Sequence, residues 1–469
     1  MKLFFPILAV VLTGCVAKIP DSRIGAVSKD APPRWFATPE ARAGIDTNWV
    51  RRIGGSRGET LVNRALAANP DMRVAAERVN RAVAVAKTAG ASMKPQVSAG
   101  LSALRQKQNF VGFPFEGGGV PSSISENFGS NLTVSWEPDV WGFNRAGQSA
   151  LLADVQAEGN AFRAARASLS AQVMRAWLAL SEANEQIALA SETDVLLNAT
   201  LDIVRDRYTN ALADEGGSAS QVRLAESEIA TNEALLAQRM GEREQAIRQL
   251  EVLMGSYPRG AIQSGDRLPK VPAMPPAGLP SELLLRRPDI LEAERRFASS
   301  GRLVEQGKLA FYPSFAITAS GGTSTDSLRK IFNSDFGVWS LAGSLSQPVW
   351  AGGALRSEYA KLKSDDRSNL AKLQGTVVKA FGEVEQALVA DRFLAAREAA
   401  LSTAVKTAVE ASEAAASEYA GGTGDALTLI TAQSNRISLV SQKVTLHRLR
   451  LDNRITLHLA LGGDYRPAK

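Results

Sequence analysis

One feature limits what this chain can fold into more than any other: it is a duplication. Asn69-Pro70-Asp71 returns as Arg287-Pro288-Asp289, 218 positions later, and Lys94-Pro95-Gln96-Val97 has its partner in Tyr312-Pro313-Ser314-Phe315 at the same offset. Glu137-Pro138-Asp139-Val140-Trp141-Gly142 matches Gln347-Pro348-Val349-Trp350-Ala351-Gly352. Tyr208 pairs with Tyr419, and Leu253-Met254-Gly255 pairs with Ala460-Leu461-Gly462. Repeats of this kind decide architecture, because each copy must build one structural unit. Between the copies, Tyr257 to Arg287 carries Pro258, Pro269, Pro272, Pro275, Pro276 and Pro280. A stretch so rich in proline cannot be a regular helix and is expected to be an extended connector. Each copy reads as helix, strand, loop, strand, long helix, turn, long helix.

The strands carry the most information. In Phe128–Glu137, Phe128, Leu132, Val134 and Trp136 fall on one face, and Asn131, Thr133, Ser135 and Glu137 on the other. The counterpart sets Trp339, Leu341, Leu345 and Val349 against Ser340, Ser344 and Ser346. The first strand of each copy alternates as well: Val97, Ala99 and Leu101 against Gln96, Ser98 and Ser102, then Phe315, Ile317 and Ala319 against Ser314, Thr318 and Ser320. Such alternation over about ten residues fits a transmembrane β-barrel, and it fits an ordinary half-buried sheet equally well. Each pair is joined by a loop rich in Gly and Ser, Gln106–Asn127 and Gly321–Gly337, like the longer outer loops of a barrel. Four strands cannot close a membrane barrel, for which about eight is the minimum. Open edges are not tolerated in lipid. Either the sheet lies outside a membrane or several chains share one barrel, and three chains would supply twelve strands.

Between Arg145 and Ala211 no proline occurs, and at about 1.5 Å per residue that segment would reach roughly 100 Å as a helix. Ala354 to Tyr419 is also free of proline, and Leu370, Leu373, Val377, Phe381, Val384 and Leu388 recur there at the spacing of a coiled-coil seam. With only 6% aromatic residues, helices of this length suit a tube or rod better than a compact ball.

Several functions are excluded. The net charge is +6, but the basic residues are scattered in runs no longer than pairs, without the concentrated stripe that nucleic acid needs. A single cysteine rules out an internal disulfide framework. The only histidines, His447 and His458, would be about 16 Å apart along one helix, too far to share a metal. No phosphate loop, nucleophile elbow or metal motif is present, so no enzyme activity and no cofactor is expected. Arg286-Arg287-Pro288-Asp289 reads as a helix start, with proline in the first turn and acids near the positive helix end, and not as an anion site.

The N-terminus reads Met1-Lys2, an apolar run from Leu3 to Leu12, then Thr13-Gly14 before Cys15. This is a secretory signal, too short in its apolar core to span as a mature helix. Leu12-Thr13-Gly14-Cys15 resembles the bacterial lipobox, which implies that Cys15 is acylated and becomes the mature N-terminus. Val16, where an Asp would retain the protein at the inner membrane, implies sorting to the outer membrane. More than one acyl chain is enough for stable anchoring.

Over residues 45–463 the sequence resembles the outer membrane factor family, the TolC-like proteins, in its NodT-type lipoprotein branch serving RND efflux pumps. The residues that carry the resemblance are Leu283-Leu284-Leu285-Arg286-Arg287-Pro288-Asp289-Ile290 with Glu292-Ala293-Glu294. Asn69-Pro70-Asp71, the strand ends at Trp136 and Trp350, and Tyr419 to Gln433 support it. The resemblance implies a mixed fold: a membrane β-barrel continued by a long α-helical barrel, made of two tandem repeats, each with two transmembrane strands and long coiled-coil helices. It implies a homotrimer with a 12-stranded barrel. The expected partners are a periplasmic adaptor protein, an inner-membrane RND transporter and outer-membrane lipid. The expected layout is signal peptide 1–14, linker 15–58, repeat one 59–255, connector 256–285, repeat two 286–463 and tail 464–469. The implied function is the exit duct for small molecules. Two alternatives remain, the channel of a type I protein secretion system and a periplasmic helical scaffold without a pore.

The periplasmic gate is expected at Tyr419-Ala420-Gly421-Gly422-Thr423-Gly424-Asp425 and, in the first copy, at Ala211–Gly217, which carries Asp214 and Glu215. Thr431-Ala432-Gln433 stands where the family often has an acid before Ala-Gln. Asp425 and its repeat partner Ser218, followed three residues on by Gln221, have the pattern of helix caps. Asp425 either only caps or, under threefold symmetry, gathers with Asp214 and Glu215 into an acidic ring that favours cations.

Overall fold

The structure, a computed structural model, describes residues 17–29, 31–37, 48–111, 120–210, 218–262 and 267–465. Its elements follow the duplication. Helices α1 (Gly25–Ser28), α2 (Trp49–Ala68) and α3 (Pro70–Ala91) lead to β1 (Gln96–Asn109), β2 (Ser122–Trp136), α4 (Phe143–Asn210) and α5 (Ala219–Leu253). The second copy runs α6 (Pro280–Leu283), α7 (Pro288–Leu309), β3 (Ser314–Thr325), β4 (Gly337–Ser346), α8 (Ala354–Ala420) and α9 (Ala426–Ala460). α4 and α8 have 68 and 67 residues, and each is roughly 100 Å long. Among the described residues, no helix is long and apolar enough to cross a membrane.

Two local differences from expectation have simple causes. The connector contains one helical turn, α6, because Pro280 occupies its first position, where a missing N–H costs nothing. The strands also run further into the Gly- and Ser-rich segments than the apolar alternation indicates, to Asn109, from Ser122, and to Thr325. A ladder is made by main-chain groups, so polar residues extend it without leaving any apolar signature. Helix α2 begins ahead of residue 59 and is divided at Gly55, whose φ of 59° interrupts the helical path.

Contacts divide the chain into two units. The first includes described residues 17–23, Val79–Glu158 and Ala293–Leu373. At its centre is an antiparallel sheet in the order β1-β2-β3-β4. β1 pairs with β2 from Gln96↔Ser135 to Asn109↔Ser122, β2 with β3 from Phe128↔Thr325 to Trp136↔Ile317, and β3 with β4 from Ser314↔Ser346 to Thr323↔Gly337. The β1–β2 hairpin therefore continues past β3 by the stretch Ser122–Asn127, about 20 Å at 3.4 Å per residue. Gly322 lets β2 and β3 approach closely, since a Cβ there would lie 1.8 Å from the Ser130 carbonyl oxygen. The Asp139 carboxylate joins β2 to α4 by accepting from the backbone N–H groups of Asn144 (3.0 Å) and Arg145 (2.8 Å).

The N-terminal segment is clamped within this unit. Ser149 Oγ donates to the Lys18 carbonyl (2.6 Å), and Arg295 Nη1 donates both to the Pro20 carbonyl (3.0 Å) and to Gln156 Oε1 (3.1 Å). Buried Glu294 accepts from the Arg23 backbone N–H, and Arg23 Nη1 reaches the Phe297 carbonyl (2.9 Å) and Asp366 (2.8 Å).

The second unit includes residues 24–78, 159–292 and 374–465 as described. Its core gathers Trp49, Ile53 and Val62 with Met174, Leu178, Leu250, Ile455 and Tyr465. Of the expected seam in α8, Val377, Val384 and Leu388 are buried in this unit. A buried ion pair, Asp391–Arg454 at 2.7 Å, ties α8 to α9, and Arg454 Nε donates to the Pro272 carbonyl of the connector (3.1 Å). Trp35 Nε1 donates to the Gly278 carbonyl (3.0 Å) from a buried position against Phe381.

Candidate functional site

Directly opposed residues of an antiparallel pair share a face, so the register sorts the sheet into rows. Val97, Val134, Ala319 and Leu341 form one row, and Ala99, Leu132, Gly321 and Trp339 the next. On the other face lie Ser98, Thr133, Ser320 and Ser340, with the Ser320 and Ser340 hydroxyls 2.8 Å apart. Thus all four alternating segments put their apolar residues on the same side. Much of that side is uncovered among the described residues: Leu101 is 71% exposed, Leu341 70% and Trp339 83%.

The apolar band has polar limits. Five residues of β2, Phe128 to Trp136, face this side and span roughly 27 Å. One step past the Ala103–Phe128 row, Arg105 and Glu126 form an ion pair at 3.2 Å. At the opposite end Trp136 Nε1 donates to the Met93 carbonyl (3.0 Å), and Trp141 Nε1 to the Pro313 carbonyl (2.8 Å). Trp141 lies 5.4 Å from the Tyr312 ring. Indole rings with one satisfied polar atom suit a membrane–water boundary. The outer edges of β1 and β4 have no strand beside them among the described residues.

The helical turn forms the second candidate. Gly422, at φ 83°, lets the chain reverse after α8, and the N–H groups of Thr423 and Gly424 both reach the Glu418 carbonyl (3.0 Å). Asp425 has extended backbone and caps α9: one carboxylate oxygen accepts from the Thr428 N–H (2.9 Å) and the other from the Thr428 hydroxyl (2.7 Å). The Thr428 hydroxyl, then its N–H, hold the Asp425 carboxyl below the usual range, so it is charged as well as exposed. Its repeat partner Ser218 also opens a helix, with its N–H donating to Gln221 Oε1 (3.3 Å). Cys15, Asp214 and Glu215 lie outside the described residues.

Sequence reasoning missed the cation at this turn. Arg207 of α4 donates to the Tyr419 carbonyl and lies 4.2 Å above the Tyr419 ring, which is buried. Tyr208, the repeat partner of Tyr419, is exposed. The only available signal was that Arg207 precedes a tyrosine already marked by the repeat. Beside it, Glu226 of α5 pairs with Arg205 (3.1 Å) and Arg223 (2.8 Å). Gln433 donates to the Thr200 hydroxyl in a buried contact of 2.9 Å.

The Arg286–Asp289 segment starts a helix, with Pro288 in its first position. Arg287 is buried and paired with Asp289 (2.6 Å) and Glu383 (2.8 Å), and its Nη1 reaches the Ala460 carbonyl (3.2 Å). Burial disfavours its charge, but the Asp289 and Glu383 carboxylates outweigh that and raise its pKa. Its hydrogen-bonding atoms are therefore committed to protein partners. His447 Nε2 is bonded to the Pro269 carbonyl (2.8 Å), and His458 is buried against Trp49.

The sequence matches the family described as outer membrane efflux protein over residues 61–256 and 279–463. It is similar to outer membrane protein OprJ of Pseudomonas aeruginosa, with 28% identity over 92% of this chain and 90% of that one. It is also similar to the cation efflux system protein CusC of Escherichia coli, with 25% identity over 98% and 97%. The fold is that of the outer-membrane channel OprN, at a TM-score of 0.86 and 24% identity, covering 96% of this chain and 99% of the other.

Proposed function

The chain belongs to the outer membrane efflux protein family, and from that premise we propose that three copies close one twelve-stranded barrel that serves as the exit duct of an RND-type efflux pump. The protein lies in the outer membrane. The observation that carries the trimer is a two-faced, four-stranded sheet with both edges unpaired among the described residues. An open edge in hydrocarbon leaves a row of amide groups without partners, and four strands fall short of the minimum of about eight. Placing β4 of one copy beside β1 of the next removes every edge. The Val97 and Ala99 rows then face lipid, and the Ser98 row faces the lumen. The long helices continue the duct into the periplasm, where an adaptor protein and the inner-membrane transporter complete the path. Export of small molecules, and not protein secretion, is supported by the relative named for cation efflux.

In this reading Cys15 carries the lipid anchor, the residues from 59 to 255 and from 286 to 463 are the two repeats, and Asp425 lies at the periplasmic gate. Its exposed charge supports an acidic ring at the entrance, with Asp214 and Glu215 as further members. Arg207, clamped on Tyr419, holds the α4 and α8 ends together and keeps the turn closed. Native mass spectrometry in mild detergent should show three chains per particle, and planar-bilayer recording should show one conductance per trimer. A stable, membrane-inserted monomer would refute the proposal.

A further inference from the structure

The apolar face of the sheet turns polar at the end away from Trp136. In the Leu101 row the other members are Ser130, Thr323 and Gly337, and Thr325 stands opposite Phe128 in the row beyond. Bare hydroxyls on that face would meet hydrocarbon, which offers them no partner. The β3–β4 connection, residues 326–336, supplies the cover. Thr323 Oγ1 donates to the Ile331 carbonyl and lies 2.9 Å from Ser130 Oγ. Thr325 is buried, and its Oγ1 accepts from the Ser327 N–H (3.3 Å). Because Thr323 belongs to the apolar side, its bond to Ile331 places the connection on that side and not over the hydroxyl-lined face.

The folded connection has an outer surface of its own. Leu328 is 62% exposed and Phe332 81%, and Arg329 and Lys330 between them are exposed as well. Neither cation has an ion-pair partner among the described residues, and Lys330 Nζ rests 5.2 Å from the centre of the Phe336 ring. The two acids of the connection are engaged by its own polar groups: Asp326 accepts from the Thr325 hydroxyl (3.4 Å) and Asp335 from Asn333 Nδ2 (3.4 Å). The strands show the same bias independently. Their only charged residues, Arg105, Lys107 and Glu126, all lie on the apolar side at this end, and no paired row of the hydroxyl-lined face carries a charge.

We propose that this outward-folded connection is a docking surface for a phosphate-bearing lipid of the cell-surface leaflet, with Leu328 and Phe332 among its acyl chains and Arg329 and Lys330 on its phosphate. The proposal rests on the reading of the sheet as part of a membrane barrel. Long Lys and Arg stems can lie along apolar surface while their charges reach the headgroup level, and the guanidinium fork matches phosphate oxygens. A lipid is the occupant because the surface continues the apolar band, and because its unpaired charges are positive and flanked by exposed apolar side chains.

The test places the photoreactive residue p-benzoylphenylalanine at Phe332, or at Leu341 within the apolar band, in the full-length chain. Cells are grown on radioactive phosphate and irradiated, and label on the purified chain is counted. Inorganic phosphate has no C–H bond for the probe to attack, so bound label reports lipid. Label is expected at both positions. Arg329→Gln with Lys330→Gln should lower it severalfold at Phe332 and leave it unchanged at Leu341. Label at Leu341 without label at Phe332, or label at Phe332 that ignores the double substitution, would overturn the docking surface while sparing the barrel. No label at Leu341 would overturn the barrel reading and the docking surface with it.

Discussion

Leu132 is the middle one of the five β2 residues that face the apolar side between Phe128 and Trp136, so it should lie near the bilayer midplane. Leu132→Arg would place a guanidinium there at a cost of about 2–4 kcal/mol per chain, falling to about 0–1 kcal/mol near the interfaces. Three copies multiply the midplane penalty to roughly 6–12 kcal/mol per trimer, comparable to the whole stability of many domains. Packing contributes little to this figure. Leu132 is 52% exposed, so a Leu132→Ala control, which keeps an apolar side chain on the lipid face and removes few protein contacts, should shift stability less than Leu132→Arg. Ala103→Arg lies in the last apolar row before the Arg105–Glu126 pair and should behave as an interfacial substitution. Thr133→Arg points to the hydroxyl-lined face and should alter conductance more than stability. The assay is the urea midpoint of channels refolded into phospholipid vesicles, with trimer yield measured by native gel. Equal shifts for Leu132→Arg and Thr133→Arg, or a shift for Ala103→Arg as large as that for Leu132→Arg, would refute the assignment of faces.

Further tests follow from other contacts. Gly322→Val should lower assembled yield and cost about 1–3 kcal/mol, as overpacking does, because its Cβ would start 1.8 Å from the Ser130 carbonyl; unchanged yield and thermal stability would refute a need for glycine there. Arg454→Met should cost about 3–5 kcal/mol in thermal unfolding by leaving buried Asp391 unpaired, whereas Asp391→Leu with Arg454→Met together should recover most of it. Asp425→Ser retains a cap and removes a charge, so it should reduce cation selectivity and divalent block in bilayer recordings; unchanged values would leave Asp425 as a cap alone. Because the folded Asp425 carboxyl is held below 3.8, its contribution to the turn is complete above that value and is lost only as pH falls through the lowered one. Hydrogen exchange at Thr428 should accordingly show constant protection, after correction for intrinsic rates, from neutral pH down to that range. Arg207→Ala should raise spontaneous channel opening, read as open probability, while Arg207→Lys restores only part of the closure because it loses the planar stack on Tyr419.

The sheet faces were legible in the sequence because alternation is local and has a fixed period of two. Val97, Leu132, Ile317 and Leu341 could be assigned a side without any knowledge of their neighbours. The strand ends were not legible, since Ser122–Asn127 pairs through main-chain groups and has no apolar rhythm. Long-range ion pairs were also hidden. Arg23 meets Asp366 and Arg287 meets Glu383 across sequence gaps that no spacing rule covers. Arg287 could be read as part of a helix start but not as a buried residue, because burial of a guanidinium depends on two carboxylates arriving from elsewhere in the fold. Asp425 was ambiguous for a physical reason that persists in the structure: capping a helix and carrying an exposed charge are compatible roles for one carboxylate.

The unequal hairpins have a consequence for the cell surface. β1 and β2 continue about 20 Å beyond the last β2–β3 pair, so in an assembled barrel the first repeat would supply three tall spikes and the second only low shoulders. An adsorbing phage or an antibody would therefore meet residues 104–109 and 122–127 of each chain before the second hairpin. Selection by such agents would act on one half of an ancestral duplication and leave its twin sheltered. The two copies should then diverge fastest at these tips, and a graft of the short β3–β4 hairpin onto the first repeat should yield a channel that conducts but escapes recognition.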